Sequence, residues 1–177
     1  NVVTNHDLEK LIDTSDAWIR ERTGIEERRF FTPGKDTVTS MAREASLKAI
    51  DRAGLQPSDI EFIVFATITS DYYFPGCGVL LQRELNLPGI GALDIKNQCS
   101  GFIYALSVAD QFIKAGTYKN ILVVGSEIQS TFLDLSDKGR GVAVIFGDGA
   151  GAVVLQATDS PAHRILSTHL HADGRFA

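Results

Sequence analysis

The residues best suited to chemistry lie where a short apolar strand gives way to a long helix, in Leu93-Asp-Ile-Lys-Asn-Gln-Cys99-Ser-Gly-Phe-Ile-Tyr-Ala-Leu106. Ala92, Leu93 and Ile95 read as strand, and Phe102, Leu106, Ala109 and Ile113 then recur at helical spacing. Cys99 falls in the turn or first turn of that helix. Unpaired N–H groups and the positive end of the helix dipole favour a thiolate there. The thiolate, not the thiol, is the nucleophile, so the position suits covalent catalysis. A buried structural cysteine fits the same local pattern.

Three other groups could bind. Trp18 and Arg22 share one helix face. Together they offer stacking and cation–π attraction to a flat base, with a positive charge for phosphate. A Trp packed on the core beside a solvated Arg reads the same way. The polar loop from Asp134 to Gly141 holds Lys138 and Arg140, which could touch phosphates or stay solvated. His169, His171 and Asp173 alternate, so on a strand they share a face and could hold iron or zinc. One strand rarely encloses a metal, so a polar edge strand is the preferred reading and no metal is expected. Gly147-Asp-Gly-Ala-Gly-Ala152 satisfies the dinucleotide fingerprint in form, but that motif must open a helix. Val153-Val-Leu-Gln reads as strand, so a glycine hairpin turn at Asp148-Gly149 is expected instead.

The elements that must position these groups follow from hydrophobic periodicity. Asp7 to Ile12 and Ser15 to Arg22 read as short helices, and Ile25 to Phe31 as an exposed strand or loop. Thr37 to Ala53 reads as an amphipathic helix on Val38, Met41, Ala45, Ala49 and Ala53, ended by Gly54. Cys77 to Leu85 and Ser100 to Ala115 read as further helices. Phe62 to Ala66, Gly91 to Ile95, Ile121 to Val124, Val142 to Phe146, Ala150 to Leu155 and Ile165 to His171 read as strands. Strands alternate with helices up to residue 124 and then follow one another. That order predicts an α/β fold with a mixed sheet and right-handed crossovers.

The chain has 177 residues, 44% of them hydrophobic, enough for one packed core. The formal charge is −5 and no Lys/Arg cluster occurs, which argues against a nucleic-acid partner. Apolar runs are short and broken by Gly or charge, so no membrane partner is expected. No signal peptide is visible. The two cysteines, Cys77 and Cys99, lie in different segments without CxxC, and a cytoplasmic location fits. The first residue is Asn1 rather than Met, and the last four break off in mid-pattern, so a fragment is expected.

Four segments occur in a telling order: Asp13-Thr-Ser-Asp-Ala-Trp-Ile-Arg-Glu-Arg-Thr-Gly-Ile25, Asn97-Gln-Cys-Ser-Gly-Phe102, Phe146-Gly-Asp-Gly-Ala-Gly-Ala152 and Ser167-Thr-His-Leu-His-Ala-Asp-Gly174. Together they closely resemble the β-ketoacyl-[acyl-carrier-protein] synthase III family, condensing enzymes that start bacterial fatty acid synthesis. The resemblance implies a thiolase-like layered α/β fold built from two similar halves, with helices on both faces of a mixed sheet. Residues 1–177 would be the N-terminal half, with the first strand and the whole C-terminal half outside them. It implies a cysteine, here Cys99, that takes an acyl group from acyl-CoA. The acyl-enzyme then condenses with malonyl on acyl carrier protein. No permanently bound cofactor is implied; the coenzyme A thioester is a substrate.

The resemblance further assigns Trp18 to the coenzyme A adenine, together with a basic residue that is either Lys138 or Arg140. It places Thr14 and Arg22 along the pantetheine and phosphate channel. Phe74, in Tyr72-Tyr-Phe-Pro-Gly76, would close the acyl pocket of the partner in a homodimer. The family's catalytic His and Asn sit in Pro-His-Gln-Ala-Asn-like and His-Gly-Asn-like segments, and neither occurs in these 177 residues. His169 and His171 match a different family segment. Three other readings compete. One is a related thiolase-fold acyltransferase forming an ester or 3-hydroxy-3-methylglutaryl-CoA. Another is a non-catalytic partner subunit, which the presence of Cys99 disfavours. The last is a metal enzyme built on His169, His171 and Asp173.

Overall fold

The computed structural model describes residues 1–160 and 162–176. At the N-terminus, β1 (Val2–Thr4) pairs antiparallel with β2 (Glu27–Arg29), and α1 (Asn5–Leu8) and α2 (Asp16–Thr23) lie between them. The main layer follows as α3 (Val38–Arg52), β3 (Phe62–Ala66), α4 (Cys77–Glu84), β4 (Gly91–Ile95), α5 (Gly101–Lys114) and β5 (Asn120–Glu127). A short α6 (Arg140–Ala143) then leads to β6 (Gly149–Gln156). The sheet runs β4-β3-β5-β6, parallel across its first three strands and antiparallel at β6. The expected α/β class and mixed sheet are therefore present.

Strand alternation sorts the core into two sides. Ile63, Phe65, Leu122 and Val124 face α3 and α4, where Val38, Ala42, Ile50, Cys77 and Leu81 complete one buried cluster. Val64, Ala66, Ile121 and Val123 face α5 and its Ala105 and Ala109. Small residues let α5 lie close: a Cβ built on Gly101 would touch that of Ala66 at 3.4 Å. A third cluster joins Leu8, Ile12 and Ile19 to Ala143 and Val144, with Trp18 packed against it. No helix among the described residues is long and apolar enough to cross a membrane.

The structure shifts the buried face of α3 by one residue. Val38, Ala42, Ser46 and Ile50 are buried, whereas Met41, Ala45 and Ala49 flank them. Ser46 is tolerated inside because its Oγ donates to the Ala42 carbonyl at 2.7 Å, which satisfies it within the helix.

Two expected strands are absent. Residues 142–146 form the end of α6 and a turn, because Ala143 and Val144 are drawn into the third cluster. The Val144 carbonyl accepts from Arg28 Nη2 at 3.0 Å instead of joining a ladder. Residues 165–171 find no ladder partner among the described residues; Thr168 accepts instead from Ser107 Oγ on α5 at 3.2 Å.

The expected hairpin at Asp148-Gly149 is also absent, since β6 returns along β5 with Glu127 opposite Gly149. Asp148 is a cross-link. Its N–H donates to Arg29 O at 2.7 Å, and its carboxylate accepts from the N–H groups of Phe31 and Ser130, both at 2.7 Å, and from Ser130 Oγ. Gly147 lets the chains meet, because a Cβ there would lie 3.0 Å from Arg28 Cβ. Asp148→Ala is expected to lower the unfolding free energy by about 1.5–3 kcal/mol, the usual scale for hydrogen bonds to a charged group. Denaturant titration checks it, and a loss under about 0.5 kcal/mol would mean water replaces the carboxylate.

Candidate active site

β3, β4 and β5 run parallel, so the loops after them open on one side of the sheet, where ligands of open α/β sheets bind. After β4 the chain makes a 3₁₀ turn at Gln98–Ser100 and enters α5 at Gly101. Cys99 occupies the middle of that turn, at the position expected. Gln98 takes φ 42°, a left-handed conformation uncommon outside glycine. Ser100 staples the turn: its Oγ donates to Asn97 O at 3.1 Å and accepts from Asn97 Nδ2 at 3.2 Å.

The two thiols sit in opposite surroundings. Cys99 is exposed, whereas Cys77 is fully buried at the start of α4. Burial pushes the Cys77 thiol above its ordinary pKa. Only the Cys99 sulfur is open to a reactant.

The neighbouring loops are tied down by carboxylates. Glu127 accepts from Ile68 N at 2.9 Å and from Thr69 Oγ1 at 2.6 Å, joining the loops after β3 and β5. Asp71 accepts from the N–H groups of Val38 at 2.7 Å and Thr39 at 2.9 Å, at the positive end of the α3 dipole. Between these loops lies a cleft of about 730 Å³, lined by Ile68, Thr69, Tyr72, Lys96, Ile128 and Phe132 among others. Phe74 projects from the same β3 loop and is 80% exposed, next to Tyr73. Gly76 gives the Asp94 carboxylate space, because a Cβ on it would force that carboxylate to shift.

Trp18, Arg22 and Arg140 form a second assembly. Ser15 caps α2 by accepting from Trp18 N at 3.1 Å, which fixes the backbone under the indole. The guanidinium carbon of Arg22 lies 4.6 Å from the Trp18 ring centroid and that of Arg140 5.0 Å, both within cation–π range. The loop thus brings Arg140 to Trp18; Lys138 is exposed and makes no such contact. Thr14 Oγ1 is buried beside them without a hydrogen-bond partner among the described residues.

Among the described residues no hydrogen bond or ion pair joins the Trp18 group to Cys99 or Phe74, which stand on separate loops. Among the described residues His169 bonds Ser167 Oγ, at 3.1 Å, and Asp173 is taken by Arg175. Among the described residues no group of three His, Cys, Asp or Glu is placed to hold a metal. The dinucleotide fingerprint fails as expected, since β6 rather than a helix follows it. Sequence reasoning missed Asp13, whose carbonyl holds Arg140, and the cross-linking role of Asp148. The only local signal for Asp148 was its place in a Gly-Asp-Gly turn.

The family model for 3-oxoacyl-[acyl-carrier-protein] synthase III matches residues 93–174, which include Cys99 and Arg140. A β-ketoacyl-[acyl-carrier-protein] synthase III from Thioalkalivibrio sulfidiphilus is 49% identical over 175 residues, covering 99% of this chain and 53% of the relative. One from Aliivibrio fischeri is 51% identical over 174 residues, covering 98% and 53%. The crystal structure of 3-oxoacyl-[acyl-carrier-protein] synthase III from Aquifex aeolicus superposes with TM-score 0.86 at 48% identity, over 90% of this chain and 51% of that one. Over nearly its whole length the chain is therefore similar to β-ketoacyl-[acyl-carrier-protein] synthases III and shares their fold, and it spans about half the length of the curated relatives it matches.

Proposed function

We propose that this chain carries the nucleophile and the coenzyme A-binding side of a condensing enzyme that initiates fatty acid synthesis. The observation that carries the reading is an exposed Cys99 at the entry to α5, beyond the carboxyl end of β4. In the first stage the Cys99 thiolate attacks the acyl-CoA carbonyl. The carbon–sulfur bond to coenzyme A breaks, and coenzyme A leaves as its thiol after taking up a proton. In the second stage malonyl on acyl carrier protein loses carbon dioxide. The resulting carbanion attacks the acyl-Cys99 carbonyl, which releases the thiolate and the β-ketoacyl product. Full-length protein given acetyl-CoA and malonyl-acyl carrier protein should release carbon dioxide and form acetoacetyl-acyl carrier protein. An enzyme that consumes acetyl-CoA without forming that product would favour a related acyltransferase.

Trp18 and Arg140 are suited to the adenine and phosphate end of the substrate, with Arg22 and Thr14 alongside. Trp18→Ala should weaken use of acyl-CoA by about 1–3 kcal/mol, the scale of one aromatic–base stack. It should spare alkylation of Cys99 by a small reagent. Unchanged acyl-CoA kinetics would leave Trp18 as a packing residue only.

Residues 1–177 are proposed to form one half of the layered fold. The outer edge of β6 is unpaired among the described residues, and a cleft of about 770 Å³ lies between β6 and the Met41, Ala45 and Ala49 side of α3. The outer side of α5 carries Ile103, which is 50% exposed, as an apolar face suited to packing a second half. The exposed Tyr72-Tyr-Phe74 segment supports a homodimer in which Phe74 reaches the partner, since aromatics concentrate at interfaces. Sedimentation of the full-length protein should give twice the chain mass; an active monomer would refute this.

A further inference from the structure

The loop that carries Arg140 is fastened to the residue before Thr14 at both of that residue's backbone groups. The Asp13 N–H donates to Asp137 Oδ1 at 2.7 Å. The Asp13 carbonyl accepts from Arg140 Nη1 at 2.8 Å, and Asp13 Oδ2 lies 3.5 Å from the same nitrogen. The loop is itself tightly wound. Gly139 N–H donates to Ser136 O at 3.0 Å, Ser136 N–H donates to Asp134 Oδ1 at 3.0 Å, and a Cβ on Gly139 would overlap the Asp134 carbonyl. Among the described residues Lys138 makes no hydrogen bond or ion pair, so Asp137, besides Arg140 itself, is the side chain of this turn that reaches across to the α2 side.

An arginine side chain has considerable rotamer entropy to lose when it is held. Docking the loop on Asp13 restricts Arg140 before any ligand arrives and keeps its guanidinium over the Trp18 ring. We propose that Asp137 is a positioning residue for the nucleotide end of the substrate. It acts through Asp13 and Arg140 and touches no ligand itself. This rests on reading Trp18 and Arg140 as the coenzyme A nucleotide site. What matters in Asp137 is an acceptor oxygen for one N–H, not its negative charge, which alone would repel phosphate.

The test compares acetyl-CoA with acetyl-pantetheine, which has the thioester but lacks the nucleotide, on the same sample of full-length protein. The readout is the ratio of their kcat/KM values, so any unfolded fraction cancels. Asp137→Ala should lower that ratio about two- to tenfold, the worth of one hydrogen bond, with the change in the KM for acetyl-CoA rather than in kcat. Asp137→Asn, which keeps the acceptor oxygen and removes the charge, should restore the wild-type ratio. A wild-type ratio in Asp137→Ala, or an equal loss in Asp137→Asn, would overturn the proposal. Arg140→Ala separates the two levels. If it lowers the ratio while Asp137→Ala does not, only the role of Asp137 fails. If Arg140→Ala leaves the ratio unchanged, the nucleotide site itself fails.

Discussion

Cys99→Ala is expected to abolish acyl transfer from acyl-CoA while leaving the fold in place. The substitution removes one exposed sulfur and no hydrogen bond, so its effect on stability should stay within about 0.5 kcal/mol, the usual range for surface changes. Among these 177 residues only Cys77 carries another thiol. Cys77 is fully buried, and that burial pushes its thiol above its ordinary pKa. Cys77→Ala should show the opposite pattern. It removes a core contact beside Leu81 and Val38 and should cost about 1 kcal/mol of stability, yet keep acyl transfer. Circular dichroism, denaturant titration and transfer assays on both variants separate the two roles. Transfer surviving in Cys99→Ala would mean that a different nucleophile operates.

Residues 1–177 expressed alone are expected to give no useful condensation. Decarboxylation of malonyl generates an enolate whose oxygen needs positioned donors in a dry site. The family resemblance assigns them to a His and an Asn in segments that do not occur among these residues. Loss of one such donor typically costs about 2.7–4 kcal/mol, so loss of both removes turnover. His169 and His171 are not expected to substitute, since both side chains are exposed and His169 bonds Ser167 rather than the Cys99 turn. The exposed apolar side chains of Ile103, Val153 and Leu166 should make the polypeptide bind hydrophobic dyes. An assay of acetyl-CoA with malonyl-acyl carrier protein checks this. Turnover near that of a full-length homologue would show that these residues suffice.

How much could be read from the sequence depended on how local the cause was. β3 was legible to the residue because it is a short apolar run between Glu61 and Thr67, and β4 because Ala92, Leu93 and Ile95 lie between the Pro88-Gly89 turn and Lys96. α5 was legible from its period, and so was the place of Cys99 at its start. β5 extends beyond its apolar core to Glu127 because β6 pairs with it throughout, which no local pattern records. Val142 to Phe146 looked like a strand because it is apolar, but Arg28 and the Leu8–Ile19 cluster claim it from more than a hundred residues away. The alternation of His169 and His171 was real, but alternation makes no strand without a ladder partner. Asp148-Gly149 had the composition of a hairpin turn, while the Asp148 carboxylate was engaged by Phe31 and Ser130. That Arg140 rather than Lys138 lies over Trp18 depends on a bond from Arg140 to Asp13, far away in sequence.

The most direct test of the central claim is peptide mass spectrometry of the full-length protein after brief treatment with acetyl-CoA. The expected result is one added acetyl group on the peptide holding Cys99, removed by hydroxylamine as a thioester would be, with Cys77 unmodified. An acetyl group on Cys77 alone, or none on any cysteine while acetyl-CoA is consumed, would contradict it.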